Sequence, residues 1–398
     1  MPRYNDPERP LRAQPGARRS EGIRLSDRQR LNWLRLIRSE NVGPVTFRDL
    51  VSHFGSAGDA LQMLPELMRR GGGNRPIRVA TIEDAEREME QIEKIGARFV
   101  GMGEPDYPPY LRHYEASPPL VAIKGNASVF HAPPVAIVGA RNSSAVGNRF
   151  THRLVRELGA AGYAIVSGLA RGIDAAAHEA SLETGTIAVL AGGLDKPYPP
   201  ENMHLYNAIP EKGGVLISEM PMGWEPRARD FPRRNRIIAG ISLGLVVIEA
   251  ADRSGSLISA RLAGEMGRLL FAVPGSPLDP RSAGTNRLLK NGAILVTEAN
   301  DIVEALAPLI SGAAQGELPL SLSDNVLDDE AAASPMPLLG ETDRERIIEA
   351  LSPVPTDPDL LIRHTGLHPS QVFLVLLELD LAGRITRHSG GAVSLLPV

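Results

Sequence analysis

Val135-Ala136-Ile137-Val138-Gly139-Ala140-Arg141-Asn142-Ser143-Ser144 places an apolar run, a glycine and a polar turn in immediate succession. A run this short, rich in β-branched side chains, reads as a buried strand at 135–138. Apolar residues then recur at three- and four-residue steps, which predicts a helix near 146–161. The phrase repeats at 164–167, where Ser167-Gly168-Leu169-Ala170-Arg171-Gly172 leads into a helix over about 173–183. Further strands are expected at 186–190, 215–218, 244–249, 269–273 and 293–296, with a helix at 256–267. Strands alternating with helices imply a parallel sheet covered on both faces. The fold class is thus α/β, Rossmann-like and doubly wound with a mostly parallel sheet, in a domain over 100–307.

Outward from this domain the pattern changes. Residues 25–99 read as a small helical domain with one further helix at 81–95, then short strands at 98–101 and 120–124. Asn41-Val42-Gly43-Pro44 is a turn signal between two of its helices. The pair is of the helix-hairpin-helix (SAM-like) type, whose turn offers backbone N–H groups to a DNA phosphate; a structural cap on the next domain is an equal reading. Residues 1–24 form a basic arm expected to be disordered, without the apolar core of a secretory signal. Residues 308–340 are an acidic linker rich in Ala, Ser and Pro. Three helices (343–351, 358–365, 369–382) and a two-stranded hairpin follow, a winged-helix arrangement over 341–398.

The chain has 398 residues, 43% of them hydrophobic, and no cysteine. Disulfides, thiolate metal sites and cysteine nucleophiles are excluded together, which agrees with a cytoplasmic home. No run approaches the roughly 20 apolar residues of a membrane span, so no membrane partner is expected. Net charge is −4, yet it is unevenly spread. Between Asn291 and Asp343 there is no Lys or Arg, whereas Arg227, Arg229, Arg233, Arg234 and Arg236 crowd one short stretch against Asp230 alone.

In a parallel sheet the turns after the strands line one crevice. Gly139 with Arg141 opens the first turn, and the helix N-terminus behind it suits a phosphate. Ser167, Gly168 and Arg171 belong to the second, Lys196 to the third, Gly255 and Ser256 to the turn before 256–267. Gly139-x-Arg141 is not the dinucleotide fingerprint, so NAD is disfavoured and no cofactor is expected. Asp174 and His178 share a helical face, but two ligands make a poor metal site; a structural Asp–His contact is preferred and no metal is expected. Phe231 among Arg233, Arg234, Asn235 and Arg236 suits single-stranded nucleic acid, with guanidiniums on phosphates and a ring on a base. No nucleophile elbow, Walker A or zincin motif is present, so no catalytic residue is assigned.

The pieces Ile137-Val138-Gly139-Ala140-Arg141, Tyr198-Pro199-x-x-Asn202, Leu216-Ile217-Ser218-Glu219, Phe231-Pro232-x-Arg234-Asn235-Arg236-Ile237-Ile238, Ser254-Gly255-Ser256-Leu257-Ile258 and Phe271-Ala272-Val273-Pro274-Gly275 stand in a fixed order. With Ser167-Gly168-x-Ala170-x-Gly172-Ile173-Asp174 they make the chain resemble the DNA-processing protein A family (DprA, or Smf). The resemblance implies an extended Rossmann-like fold, a homodimer, single-stranded DNA as ligand, and protection and loading of incoming DNA onto the RecA recombinase in natural transformation. It implies no enzyme activity. It assigns phosphates to Gly139 and Arg141, and DNA contacts to Phe231, Arg234, Asn235 and Arg236. The alternative is a nucleotide-acting enzyme like the lonely-guy phosphoribohydrolases; their paired glycines and close glutamate are missing at Arg253-Ser254-Gly255-Ser256. In the tail the expected recognition helix holds Glu378 and Asp380 and no cation, which favours protein contact, although Arg384, Arg387 and His388 of the wing could supply charge.

Overall fold

The computed structural model describes residues 24–73, 75–315, 340–388 and 390–396. The arm expected at 1–24, apart from Arg24, and residues 316–339 of the expected linker lie outside the described residues.

Four helices come first: α1 (Asp27–Arg38), α2 (Pro44–Phe54), α3 (Ala57–Arg70) and α4 (Ile82–Lys94). Their starts are written locally. Ser26 and Gln29 form a capping box, Pro44 takes the first position of α2, and Ser56 and Thr81 cap α3 and α4. The side-chain caps satisfy backbone N–H groups that have no partner within the helix, and Pro44 lacks the N–H that would otherwise be left over.

The central body runs β1 (Arg98–Gly101), β2 (Leu120–Gly125), β3 (Pro134–Val138), α5 (Ala145–Ala160), β4 (Ala164–Ser167), α6 (Ile173–Ser181), β5 (Thr186–Val189), α7 (Met203–Glu211), β6 (Val215–Ser218), α8 (Asp230–Ile241), β7 (Gly244–Val247), α9 (Ser256–Glu265), β8 (Leu269–Ala272), α10 (Ala283–Lys290), β9 (Ile294–Leu295) and α11 (Ala299–Gln315). The strand order is β1-β2-β6-β5-β4-β3-β7-β8-β9. All neighbours are parallel except β2, which is antiparallel to both β1 and β6. From β3 the chain steps outward through β4, β5 and β6, then returns to β7 on the other side of β3. That reversal is the switch point at which open α/β sheets take ligands.

Both faces are covered because side chains alternate along each strand. Val135 and Ile137 pack with Leu154, Leu158, Ile173 and Ile302, from α5, α6 and α11. Ala136 and Val138 join the opposite core, which holds Leu205, Ile237 and Ala260 from α7, α8 and α9. β1 is already part of this sheet, and α11 continues through Gln315, past the boundary expected at 307.

The tail is α12 (Glu341–Ala350), α13 (Pro358–Thr365), α14 (Pro369–Leu381), β10 (Ile385–Arg387) and β11 (Val393–Leu395), three helices and a hairpin as in a winged helix. The recognition-helix position, α14, is buried on two sides. Val372, Val375, Leu376 and Leu379 fill the tail's own core, while Leu374, Leu377 and Leu381 join the core of the first domain. Asn41 Nδ2 donates to the Leu381 carbonyl at 2.8 Å, and Thr46 Oγ1 donates to Asp380 at 2.9 Å. Arg387 pairs with Asp49 and Asp380. The wing cations therefore do not restore a free basic reader: Arg387 is tied into this joint and Arg384 reaches the Gly71 carbonyl. The 41–44 hairpin and α14 cover one another. Among the described residues no helix is long and apolar enough to cross a membrane.

Candidate nucleic-acid interface

The turns after β3, β4 and β7, with the start of α8, line an open crevice of about 760 Å³. Of the residues expected at a ligand, it brings together Gly139, Arg141, Phe231, Arg234, Asn235, Gly255 and Ser256. Arg253 and Arg281 join them unannounced by the sequence reading. Ser167, Gly168, Arg171, Lys196, Arg233 and Arg236 are not in its lining.

Two of the three turns already hold an anion of the protein's own. After β3, the Ser144 backbone N–H donates to Glu249 Oε2 at 2.9 Å, and the Ser144 hydroxyl donates to the other carboxylate oxygen. After β4, Gly168 N–H and Ala170 N–H donate to Asp174 Oδ2 at 3.1 and 3.4 Å. The expectation that the first helix N-terminus awaits a phosphate is thus corrected: the Glu249 carboxylate takes that place. Gly139 also serves packing more than ligand approach, since a Cβ there would stand 2.6 Å from the Ile173 side chain. The third turn differs. α9 starts at Gly255 with no side-chain cap, and its dipole end faces the crevice beside Arg253.

The β4 turn is fixed from every side. Leu169 is held at φ 56°, a conformation costly for a side-chain-bearing residue. Gly172 takes φ 74°, and a Cβ there would lie 2.3 Å from the Ala140 carbonyl oxygen, so the first two turns touch through it. Asn202 Nδ2 donates to the Leu169 and Ala170 carbonyls at 2.9 and 3.0 Å. Leu169 N–H donates to His178 Nε2 at 3.3 Å, so the ring proton lies on Nδ1, 2.7 Å from Thr186 Oγ1. Burial pushes the His178 pKa down to about 3. Asp174 and His178 therefore both brace the turn, and among the described residues no hydrogen bond joins them, which corrects the expected Asp–His contact. Ser167 is likewise internal, donating to the Ile137 carbonyl at 2.7 Å.

The arginines divide into two kinds. Arg234 is 5% exposed and donates to the carbonyls of Gly168 and Val189 and to Asn235 Oδ1. Burial lowers its pKa to about 10, opposed by Asp174, whose own carboxyl burial pushes up. Arg236 lies partly buried against Glu219 and the Ala116 carbonyl, and the exposed Arg233 shares Glu219 at 2.9 Å. These three guanidiniums tie strand ends and loops together, whereas Arg227 and Arg229 of the same run are exposed. Arg171 lies exposed, 3.5 Å from Glu201, and Lys196 is 3.9 Å from Glu225. Arg141 is of the second kind. It is exposed, has no carboxylate partner among the described residues, and lies over the Phe231 ring at 5.0 Å. Tyr198, 48% exposed, meets the same ring edge-on at 5.7 Å.

Fold and site together define a class: a doubly wound domain whose strand-end crevice offers one uncapped helix start, unpaired guanidiniums and an aromatic platform. The family description DNA recombination-mediator protein A matches residues 98–307, its N-terminal HHH domain 27–90, and its winged-helix domain 329–391. The chain belongs to this family. It is 32% identical to Protein Smf of Synechocystis over 92% of this chain and 98% of that protein. It is 45% identical to the DNA processing protein DprA of Streptococcus pneumoniae over 50% of this chain and 70% of the other. The crystal structure of DNA processing protein A from Streptococcus pneumoniae superposes with a TM-score of 0.57 at 34% identity, covering 70% of this chain and 98% of that one.

Proposed function

We propose that this protein binds single-stranded DNA in the strand-end crevice and serves DNA processing in recombination. The single observation that carries the reading is Arg141, exposed and unpaired, stacked on Phe231 within the crevice. A ring with a cation over it takes a base and the adjoining phosphate together, whatever the base. Arg253 and the start of α9 offer the next phosphate its partner. Duplex DNA keeps its bases stacked away from such a ring, which favours the single strand.

The crevice binds without reacting. The Asp174 carboxylate in its lining, and the Glu249 carboxylate behind the first turn, are occupied by backbone N–H groups of the turns they close. Incubation with AMP is expected to release no adenine. The names of the relatives support a role in handling DNA, and family membership supports the finer picture: a cytoplasmic homodimer that shields incoming strands during natural transformation and passes them to RecA.

Fluorescence anisotropy of labelled oligo-dT, at two salt concentrations, tests the core of this. Wild type should bind and prefer it to duplex, while Arg141→Ala and Phe231→Ala each weaken binding by about tenfold, the effect of roughly 1.4 kcal/mol. Tight binding that neither substitution alters would remove the crevice from the DNA path. Faster RecA filament assembly on coated strands is the expected sign of loading.

A further inference from the structure

We infer that Trp224 and Arg227 form a second station for the same strand, continuing the track that starts at Arg141 and Phe231; the inference rests on the single-strand reading of the crevice. The Arg227 guanidinium lies over the Trp224 ring at 4.8 Å, repeating the arrangement of Arg141 over Phe231. Arg227 is exposed and has no carboxylate partner among the described residues, although Glu225 stands two positions away; Glu225 is nearest Lys196 instead.

The geometry joins the two stations. Asp230, the first residue of α8, accepts from Trp224 Nε1 at 2.9 Å and from Arg227 N–H at 2.8 Å. Phe231 follows it directly. Alongside runs the turn after β5: Gly193 N–H donates to the Trp224 carbonyl at 2.9 Å, Gly223 N–H donates to Asp195, and Tyr198 meets Phe231. The two segments thus lie side by side, with Trp224 at one end and Phe231 at the other. Asp230 is buried, and its Oδ2 holds both groups, so it fixes the indole and the Arg227 backbone together. The free outer face of the guanidinium is left for a base. Arg229, exposed two positions further along the same segment, is available for the phosphate.

An ordered arginine on an ordered ring loses little further freedom when a ligand arrives, which is how preorganised sites gain affinity. Trp224 also supplies its own readout. The chain has two tryptophans, and Trp33 is buried against Phe47 in the first domain. Oligo-dT should quench the tryptophan emission of wild type and leave that of Trp224→Phe unchanged. Arg227→Ala, an exposed position that should not alter the melting temperature, should weaken oligo-dT binding about tenfold in anisotropy. If anisotropy shows full-strength binding in wild type and Arg227→Ala alike, with no quenching, this station is refuted while the crevice reading stands. If wild type fails to bind at all, the crevice reading falls and the station falls with it.

Discussion

Two guanidiniums flank Phe231, and only one is free to meet a phosphate. Arg141 stacks from solvent, whereas Arg234 is sealed between the ends of β4 and β5 with Asp174 as its buried counter-charge. Removing one partner of a buried charge pair leaves the other uncompensated, which costs about 3–5 kcal/mol. Arg234→Ala should therefore lower the denaturant midpoint sharply, and any loss of DNA binding should follow from that. Arg141→Ala should leave the midpoint in place. His178 adds a pH signature. Its folded pKa of about 3 lies below the 6.5 of the unfolded chain, so the unfolded state takes the proton more readily. The stability it supports is complete above pH 6.5 and is lost as pH falls toward 3, by up to about 1.4 kcal/mol per pH unit. Denaturant melts at pH 7, 5 and 4 should show that fall, and His178→Gln should flatten it. The sequence could announce Arg141, since a charged residue after a strand-end glycine has few internal partners. It could not separate Arg234 and Arg236 from Arg227, because burial of an arginine depends on carbonyls and acids that arrive from other segments, here Gly168, Val189 and Glu219.

Strands were the most legible elements. Those at 135–138, 164–167 and 215–218 are wholly buried, so apolar runs between glycines mark them without competition from a surface face. α8 was hidden: its first half reads as a basic run, because its arginines point to internal acceptors that a helical pattern of apolar residues does not reveal. α7 and α11 carry Pro210 and Pro308 inside them, which blurs the helical signal. α14 was legible as a helix but not in its surroundings. Leucines on two opposite faces imply burial on both sides, and the second side is the first domain, distant in sequence. Gly71 makes that contact possible, since a Cβ there would stand 2.1 Å from the Glu378 carbonyl oxygen. Gly71→Val should force α14 away from α3, as overpacking does at a cost of about 1–3 kcal/mol. Hydrogen exchange over 369–381 should accelerate while oligo-dT affinity holds. Unchanged protection would mean that the joint can yield without opening.

At the scale of the molecule, charge argues for local rather than long-range attraction. A net charge of −4 repels a polyanion at distance, and screening limits that repulsion to roughly 10 Å at ordinary salt. Binding must then come from the few cations left without acids on one edge of the sheet. The recognition helix of the winged helix adds none, because it faces the first domain and the neighbouring Arg387 is spent on Asp49 and Asp380. Each phosphate neutralised on a single strand contributes about −0.7 to the slope of log affinity against log salt. With Arg141, Arg253 and Arg229 all on phosphates the slope is about −2. Arg141→Ala should shift it toward zero by roughly one such step, equally for every base composition, because a phosphate contact carries no sequence information. Phe231→Ala should lower affinity with the slope nearly unchanged, since stacking releases no counterion. If Arg141→Ala leaves the slope intact, its guanidinium holds a base rather than a phosphate, and the track along the sheet edge is read by stacking alone.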